Sequence, residues 1–137
     1  MSRVAVVSGG TRGIGAAISK ALAASGYRVA AIYCGNDEAA AKFKAETKVP
    51  VYKWDVSSYE ACAAGLAKVG ADLGPVEILV NNAGITRDSM LHKMKPEQWY
   101  AVINTNLNSL FNMTRPVIEG MRERGFGRIV NISSING

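Results

Sequence analysis

The sequence predicts an α/β fold built as a doubly wound parallel sheet with helices on both faces. Two patterns predict it. Short apolar runs alternate with helical patterns along the whole chain, which is the order expected of strand–helix–strand units. A glycine-rich stretch, residues 8–15, follows the first apolar run and opens the first helical pattern. In sheets of this class such a turn is typical of a phosphate site.

Five short, mostly apolar runs are the predicted strands, because strands covered by helices on both faces are apolar throughout. We expect all five to run parallel, since a helical pattern separates most of them from the next. The predicted strands are Arg3–Ser8, Tyr27–Tyr33, Val49–Asp55, Val76–Asn81 and Gly127–Ile132.

The first helix is predicted over about residues 13–25. Ile14, Ile18 and Leu22 recur every fourth residue, so they should share the face that packs against the sheet. Gly26 follows this pattern, and glycine is the residue that most often ends a helix. The helix therefore begins within the glycine stretch itself.

Two further helices carry start and stop signals. The second is predicted over Glu38–Thr47, because the Asn-Asp pair at 36–37 offers good N-terminal caps. The third begins after Ser57, which forms the capping-box pattern with Glu60 three residues later. The Gly-Pro pair at 74–75 should end it before the fourth strand.

The last helical region is the longest and has a wide apolar face. A short helix is predicted to begin at Pro96, and a long one to cover about residues 105–124. Pro116 inside the long helix should cost about 3 kcal/mol unless a kink accommodates it. The wide face has two interpretations, burial on both sides within one chain or a contact between subunits. Its residues are Leu107, Leu110, Phe111, Thr114, Ile118 and Met121, widened by Met113 and Val117.

Length and composition indicate one globular domain over residues 1–137 and exclude several function classes. The longest apolar run is far below the roughly 20 residues that span a bilayer. The first residues lack a signal-peptide pattern, so we expect a cytoplasmic protein with no membrane partner. The formal net charge is +5, but the cations are scattered, which disfavours nucleic-acid binding. Two cysteines without metal-ligand spacing predict free thiols and no metal site.

The glycine stretch is the main candidate for a ligand site. Gly9, Gly13 and Gly15 let the chain turn tightly and approach a pyrophosphate closely. The helix that follows offers unpaired N–H groups and a partial positive charge. The spacing, Gly-xxx-Gly-x-Gly, differs from the commonest dinucleotide fingerprint, G-x-G-x-x-G. The alternative is a tight strand-to-helix turn without a ligand.

The residues at the end of the second strand favour NADP over NAD. NAD-binding sheets commonly place an acid there to hold the ribose hydroxyls. This chain has Tyr33 and Cys34 instead, and neither repels a 2′-phosphate. Arg12, inside the glycine turn, is suited to pair with that phosphate through charge-assisted hydrogen bonds. Asp37 and Glu38 follow closely in sequence and weaken the preference.

The chain resembles the short-chain dehydrogenase/reductases, and the resemblance covers its whole length. Its motifs fall in that family's order and spacing: the glycine stretch 8–15, Asp55, the Asn-Asn-Ala-Gly run at 81–84 and the Asn-Ile-Ser-Ser run at 131–134. Ser8 replaces the family's usual Thr but keeps the hydroxyl that bonds within the turn. The resemblance implies a Rossmann sheet, which we expect to be truncated after the fifth strand.

The resemblance also implies two kinds of site residue. Ser134 would hydrogen-bond the substrate's carbonyl oxygen, and Asn106 would hold a water in a proton relay through its helix backbone. These two are the catalytic candidates. The cofactor candidates would surround the phosphates, ribose and adenine of NADP. They are Gly9, Arg12, Gly13, Ile14, Gly15, Asp55, Val56, Asn82, Ala83 and Gly84.

Within the family, residues 82–88, 104–112 and 125–137 are most similar to reductases of β-ketoacyl thioesters, and among these to the reductases of acetoacetyl-CoA. The resemblance implies an acyl-thioester substrate on coenzyme A or acyl-carrier protein, and a homotetrameric parent protein. Reduction of 3-oxoacyl-[acyl-carrier-protein] is the alternative within the family. A non-catalytic nucleotide-binding sensor is the alternative outside it.

The family's proton donor, a Tyr followed four residues later by a Lys, is absent from these 137 residues. The sequence has five tyrosines, and none has Lys at that position. The family places this pair after the serine, and the sequence ends three residues beyond Ser134. We therefore expect an N-terminal fragment of a reductase that is inactive by itself.

Overall fold

The computed structural model describes residues 2–135, and its sheet confirms the predicted fold class. Five parallel strands are hydrogen-bonded in the order β3-β2-β1-β4-β5. The chain starts at the centre of the sheet, builds one half outward, and then returns to build the other half, which is the doubly wound arrangement. The strands are β1 (Val4–Ser8), β2 (Arg28–Tyr33), β3 (Val51–Lys53), β4 (Val76–Asn81) and β5 (Arg128–Asn131).

Helices lie between the strands in sequence, and the last two are joined by a π-helical turn. A short 3-10 turn precedes them at Leu91–Lys93. No helix within residues 2–135 has both the length and the apolar character needed to cross a membrane. The helices are α1 (Gly13–Ala24), α2 (Asp37–Thr47), α3 (Tyr59–Leu73), α4 (Pro96–Val102), the π turn (Ile103–Asn108) and α5 (Ser109–Arg124).

The sheet separates two apolar clusters, one on each face. On one face Val4 and Val6 of β1 belong to a cluster with residues of α3 and α5. On the other face Ala5 and Val7 belong to a cluster with residues of α1 and α2. All of β1 is buried. A strand covered on both sides excludes water from every side chain, which explains why this run shows no polar alternation.

The buried face of α1 differs from the prediction at its first turn. Ile18 packs against the sheet as expected, but Ile14 is 67% exposed. Gly15 and Ser19 are buried instead, and the Ser19 hydroxyl donates to Gly10 O at 2.9 Å. The start of α1 lies directly on the glycine turn, so backbone contacts replace the apolar side chain that periodicity predicts there.

The N-cap of α3 also differs from the predicted one. Ser58 is the N-cap, and its hydroxyl accepts from Ala61 N at 3.2 Å. Ser57 donates its N–H and its hydroxyl to Asp55 Oδ1, at 2.9 and 2.7 Å. The predicted capping box between Ser57 and Glu60 is therefore wrong. The Asp55 carboxylate competes for Ser57 and holds it in the turn before the helix.

The last helical region is continuous from α4 through the π turn into α5, where the sequence predicts a separate helix from about residue 105. A π turn holds an extra residue and so rotates the apolar face that follows it. Met113, Val117 and Met121 are buried, while Leu107 and Phe111 are 57% and 62% exposed. Of the two interpretations of the wide face, burial within one chain therefore applies to Met113, Val117 and Met121 and not to Leu107 and Phe111.

Candidate functional site

A cavity of about 800 Å³ lies at the carboxyl ends of the strands, where the sheet changes direction between β1 and β4. Ligands of open α/β sheets bind at this switch point, because the connections from the two central strands leave in opposite directions and open a crevice. The walls come from the loops after β1, β2, β3 and β4 and from the π turn. Five separate stretches of the chain thus converge on one space.

The structure places eight of the ten predicted cofactor residues in the wall of this cavity. Of the other two, Gly15 is buried in the first turn of α1 and Ile14 is exposed. Neither catalytic candidate is itself a wall residue: Ser134 follows the carboxyl end of β5, and Asn106 lies in the π turn next to the wall residues Asn104 and Thr105. The eight wall residues are Gly9, Arg12, Gly13, Asp55, Val56, Asn82, Ala83 and Gly84.

The glycine turn is close-packed around Gly15 and open around Gly13. Gly9 and Gly13 have φ of 61° and 57°, which glycine adopts without strain. A Cβ on Gly15 would lie 1.8 Å from Gly9 O, whereas a Cβ on Gly13 would meet no described atom within 4 Å. Gly13, the first residue of α1, is exposed and lines the cavity. This cradle and the volume of the cavity fit a dinucleotide, with its phosphates on the turn.

The hydroxyl of Ser8 joins the loops that follow the two central strands. It accepts from Asn82 N at 2.9 Å and from Ala83 N at 3.0 Å. The amide of Asn82 completes the link by donating to Gly9 O at 3.2 Å. The expectation that this hydroxyl bonds within the glycine turn is therefore replaced by bonds to the loop after β4.

Replacing Ser8 with alanine is expected to destabilise the fold by about 2 kcal/mol, because two backbone N–H groups lose their acceptor. Ser8→Thr is the matched control: it keeps the hydroxyl acceptor, so it should lose less stability than Ser8→Ala. Urea denaturation measures both variants. An unchanged unfolding midpoint for Ser8→Ala would show that water satisfies these N–H groups and that the link is dispensable.

Asn112 positions the wall formed by Asp55 and Val56, and sequence reasoning missed it. Its side-chain amide is buried in α5 and donates to Val56 O at 3.0 Å. This bond ties the loop after β3 to a helix on the same face of the sheet. The only signal in the sequence is an amide beside Met113 in an apolar helical pattern, and such a signal does not identify its partner.

Asn106 hydrogen-bonds both backbone polar groups of one residue, Ile85, in the loop after β4. Its Oδ1 accepts from Ile85 N, and its Nδ2 donates to Ile85 O, both at 2.8 Å. Ile85 itself lines the cavity. The π turn brings Asn106 to this position, and π turns inside helices are frequent at functional sites. The side chain is therefore engaged in positioning the loop.

Two titratable groups near the cavity wall are held in their neutral forms. Burial raises the pKa of the Cys62 thiol to about 11. Burial and a hydrogen bond to Asp72 raise the pKa of Tyr52 to about 12. At neutral pH the thiol is not a nucleophile and Tyr52 keeps its proton. Within residues 2–135 no three His, Cys, Asp or Glu side chains are grouped so as to hold a metal ion.

Comparisons with known proteins agree with this arrangement. The family model for short chain dehydrogenase matches residues 3–137. The chain is 74% identical over 137 residues to acetoacetyl-CoA reductase of Shinella zoogloeoides and 72% identical to that of Rhizobium meliloti strain 1021. Both matches cover 100% of this chain and 57% of the relative. The 3-oxoacyl-[acyl-carrier-protein] reductase of Pseudomonas aeruginosa is 43% identical over 139 residues, with 98% of this chain and 56% of the relative covered.

Proposed function

The chain belongs to the short-chain dehydrogenase family, and on that premise we propose that the whole protein reduces acetoacetyl-CoA to (R)-3-hydroxybutyryl-CoA for polyhydroxybutyrate synthesis. The observation that carries the proposal is the cavity at the switch point of the sheet, with its glycine cradle. Relatives at 74% and 72% identity are named acetoacetyl-CoA reductase, which supports this substrate. The chain spans a little over half the length of those relatives. NADPH, when bound, would supply the hydride.

Each wall of the cavity has a proposed partner on the cofactor. The glycine turn and the first N–H groups of α1 would bind the pyrophosphate. Arg12 would pair with the 2′-phosphate as a planar, permanently charged donor. Asp55 and Val56 would bind the adenine. Residues 82–84, held in place by Ser8, would flank the adenosine ribose and the channel to the reacting end of the cofactor.

Ser134 and Asn106 are the proposed residues of the reaction itself. Ser134 would donate a hydrogen bond to the substrate oxygen as negative charge develops there, and one such donor typically contributes about 3 kcal/mol to the barrier. Because the side chain of Asn106 is engaged with Ile85, the water that it holds would be bound by its backbone. No tyrosine among the 137 residues has Lys four positions later. We therefore propose that the 137 residues bind the cofactor but do not contain the group that completes proton transfer.

Replacing Arg12 with alanine tests the cofactor assignment. Because the guanidinium is proposed to contact only the 2′-phosphate, affinity for NADPH should fall at least tenfold, while affinity for NADH should change less than twofold. Arg12→Lys keeps the charge without the bidentate geometry, so its affinity for NADPH should lie between those of the wild type and Arg12→Ala. Calorimetric titration measures all three proteins. An equal loss for NADPH and NADH would contradict the 2′-phosphate role of Arg12.

Reduction of a thioester carried by acyl-carrier protein is the second candidate function, which the 43% identical relative favours. Both carriers present the same phosphopantetheine arm, so the difference must lie in contacts beyond the thioester. Comparing kcat/KM for acetoacetyl-CoA with kcat/KM for acetoacetyl-[acyl-carrier-protein] separates the candidates. The proposal expects the CoA thioester to be preferred.

We also propose that the whole protein is a homotetramer. The support within the described residues is the exposure of Leu107 and Phe111 on one continuous helical segment. Large apolar side chains exposed side by side are typical of subunit contacts. Sedimentation equilibrium of the whole protein measures the assembly directly, and a monomer at micromolar concentration would contradict this proposal.

A further inference from the structure

An ion pair lies beside the part of the cavity that follows β2. Lys53 Nζ donates to Asp37 Oδ1 at 3.0 Å and to Oδ2 at 3.3 Å. Lys53 ends β3 and is in register with Tyr33, the last residue of β2. Register partners on adjacent strands point to the same face of a sheet. Asp37 is the first residue of α2, one residue after Asn36, and both Asn36 and Tyr33 line the cavity.

Both partners of the pair are charged at neutral pH. The hydrogen bond from Lys53 and its positive charge lower the pKa of Asp37, and a hydrogen bond from Tyr33 lowers it further. The hydrogen bond with Asp37 and its negative charge raise the pKa of Lys53. The carboxylate therefore stays ionised at the edge of the cavity, but a cation lies directly against it.

A carboxylate at this edge would by itself favour NAD. NAD-binding sheets use an acid near the end of the second strand to accept from the ribose hydroxyls, and a carboxylate at that place repels a 2′-phosphate. Asp37 is four residues beyond the end of β2 and directly follows Asn36, which lines the cavity. From the sequence alone, the negative charge of Asp37 weakens the predicted preference for NADP. The ion pair removes that opposition, because a neutral pair exerts little net force on a nearby phosphate.

We infer that Lys53 is a specificity-determining residue: by pairing with Asp37, it neutralises a carboxylate at the edge of the ribose pocket and so permits NADP(H). The inference rests on the proposed nicotinamide function. The role of Lys53 differs from that of Arg12, since Lys53 acts through Asp37 whereas Arg12 is proposed to contact the phosphate. Exposed ion pairs contribute little to stability, so replacing this one should alter affinity without unfolding the protein.

The test is a double-substitution cycle on the ratio of dissociation constants for NADH and NADPH, measured by calorimetry. Lys53→Met keeps the length of the side chain and removes its charge, and it should lower the preference for NADPH about tenfold. Asp37→Asn alone should keep or increase the preference. The combined variant, with neither charge, should recover a preference within about twofold of the wild type. Urea denaturation of each variant checks that the fold is retained.

Two results would overturn the inference. An unchanged ratio in Lys53→Met would show that the pair has no influence on the cofactor. A combined variant as impaired as Lys53→Met would show that Lys53 contacts the phosphate directly and not through Asp37. Failure of the proposed function is distinguishable from both, because in that case the wild type itself would bind neither cofactor or would show no preference for NADPH.

Discussion

Replacing Gly15 with alanine is expected to abolish dinucleotide binding, with at least a hundredfold loss of affinity for NADPH. The new Cβ would lie 1.8 Å from Gly9 O and 2.6 Å from Asn82 Nδ2. Contacts that short are impossible, so either α1 moves away from the turn or the turn itself rearranges. Each outcome displaces the N–H groups of the cradle, and misplacement by about 1 Å costs on the order of a hundredfold in a site that depends on orientation.

Gly70→Ala is the matched control for Gly15→Ala. Gly70 lies within α3, and a Cβ there meets no described atom within 4 Å. Alanine should stabilise that helix by about 0.5–1 kcal/mol and leave cofactor affinity unchanged. Calorimetric titration with NADPH and urea denaturation measure the two effects separately. Wild-type affinity in Gly15→Ala would show that the cradle is not the phosphate site.

Replacing Asn106 with alanine is expected to lower kcat/KM of the whole protein about a hundredfold. Both hydrogen bonds to Ile85 are lost, and the loop after β4 is no longer fixed against the π turn. Since the residue is exposed, water satisfies the freed groups and the free energy of unfolding should change by less than about 1 kcal/mol. A large loss of activity with a small loss of stability separates a positioning role in the site from a role in the core.

The control for Asn106→Ala is Asn108→Ala in the same π turn. Asn108 donates to Asn104 Oδ1 at 2.8 Å and, in the described structure, makes no bond to the loop after β4. Its replacement should lower kcat/KM less than threefold. Steady-state kinetics of both variants is the measurement. Equal losses in the two variants would mean that the π turn as a whole, and not the contact to Ile85, matters for the reaction.

The strands and the glycine turn were predictable because their signals are local. A strand buried on both faces is mostly apolar, and β1 and β4 show this in sequence, apart from Glu77 and the polar residues Ser8 and Asn81 at their carboxyl ends. Glycine at position 9 and position 13 is required by a positive φ that other residues avoid. The alternation of strands with helices then predicts the doubly wound order, in which the central strands are buried while β5 at the edge of the sheet is exposed.

The errors arose where an interaction between distant or competing groups decided the outcome. The π turn rotates the face of α5, and helical periodicity has no signal for an inserted residue, so the sequence placed the exposed Phe111 on the same face as the buried Met121. Two adjacent serines fit the cap of α3 equally well, and the carboxylate of Asp55 decided between them. The Lys53–Asp37 pair joins residues sixteen positions apart, which depends on the register of β2 and β3.

Calorimetric titration of the protein with NADPH and with NADH tests most directly whether the cavity at the switch point is an NADP(H) site. One NADPH per chain should bind saturably, NADH should bind at least tenfold more weakly, and Gly15→Ala should bind neither. Absence of saturable binding, or NADPH binding that Gly15→Ala leaves intact, would contradict the assignment of the glycine turn and the proposed reductase function together.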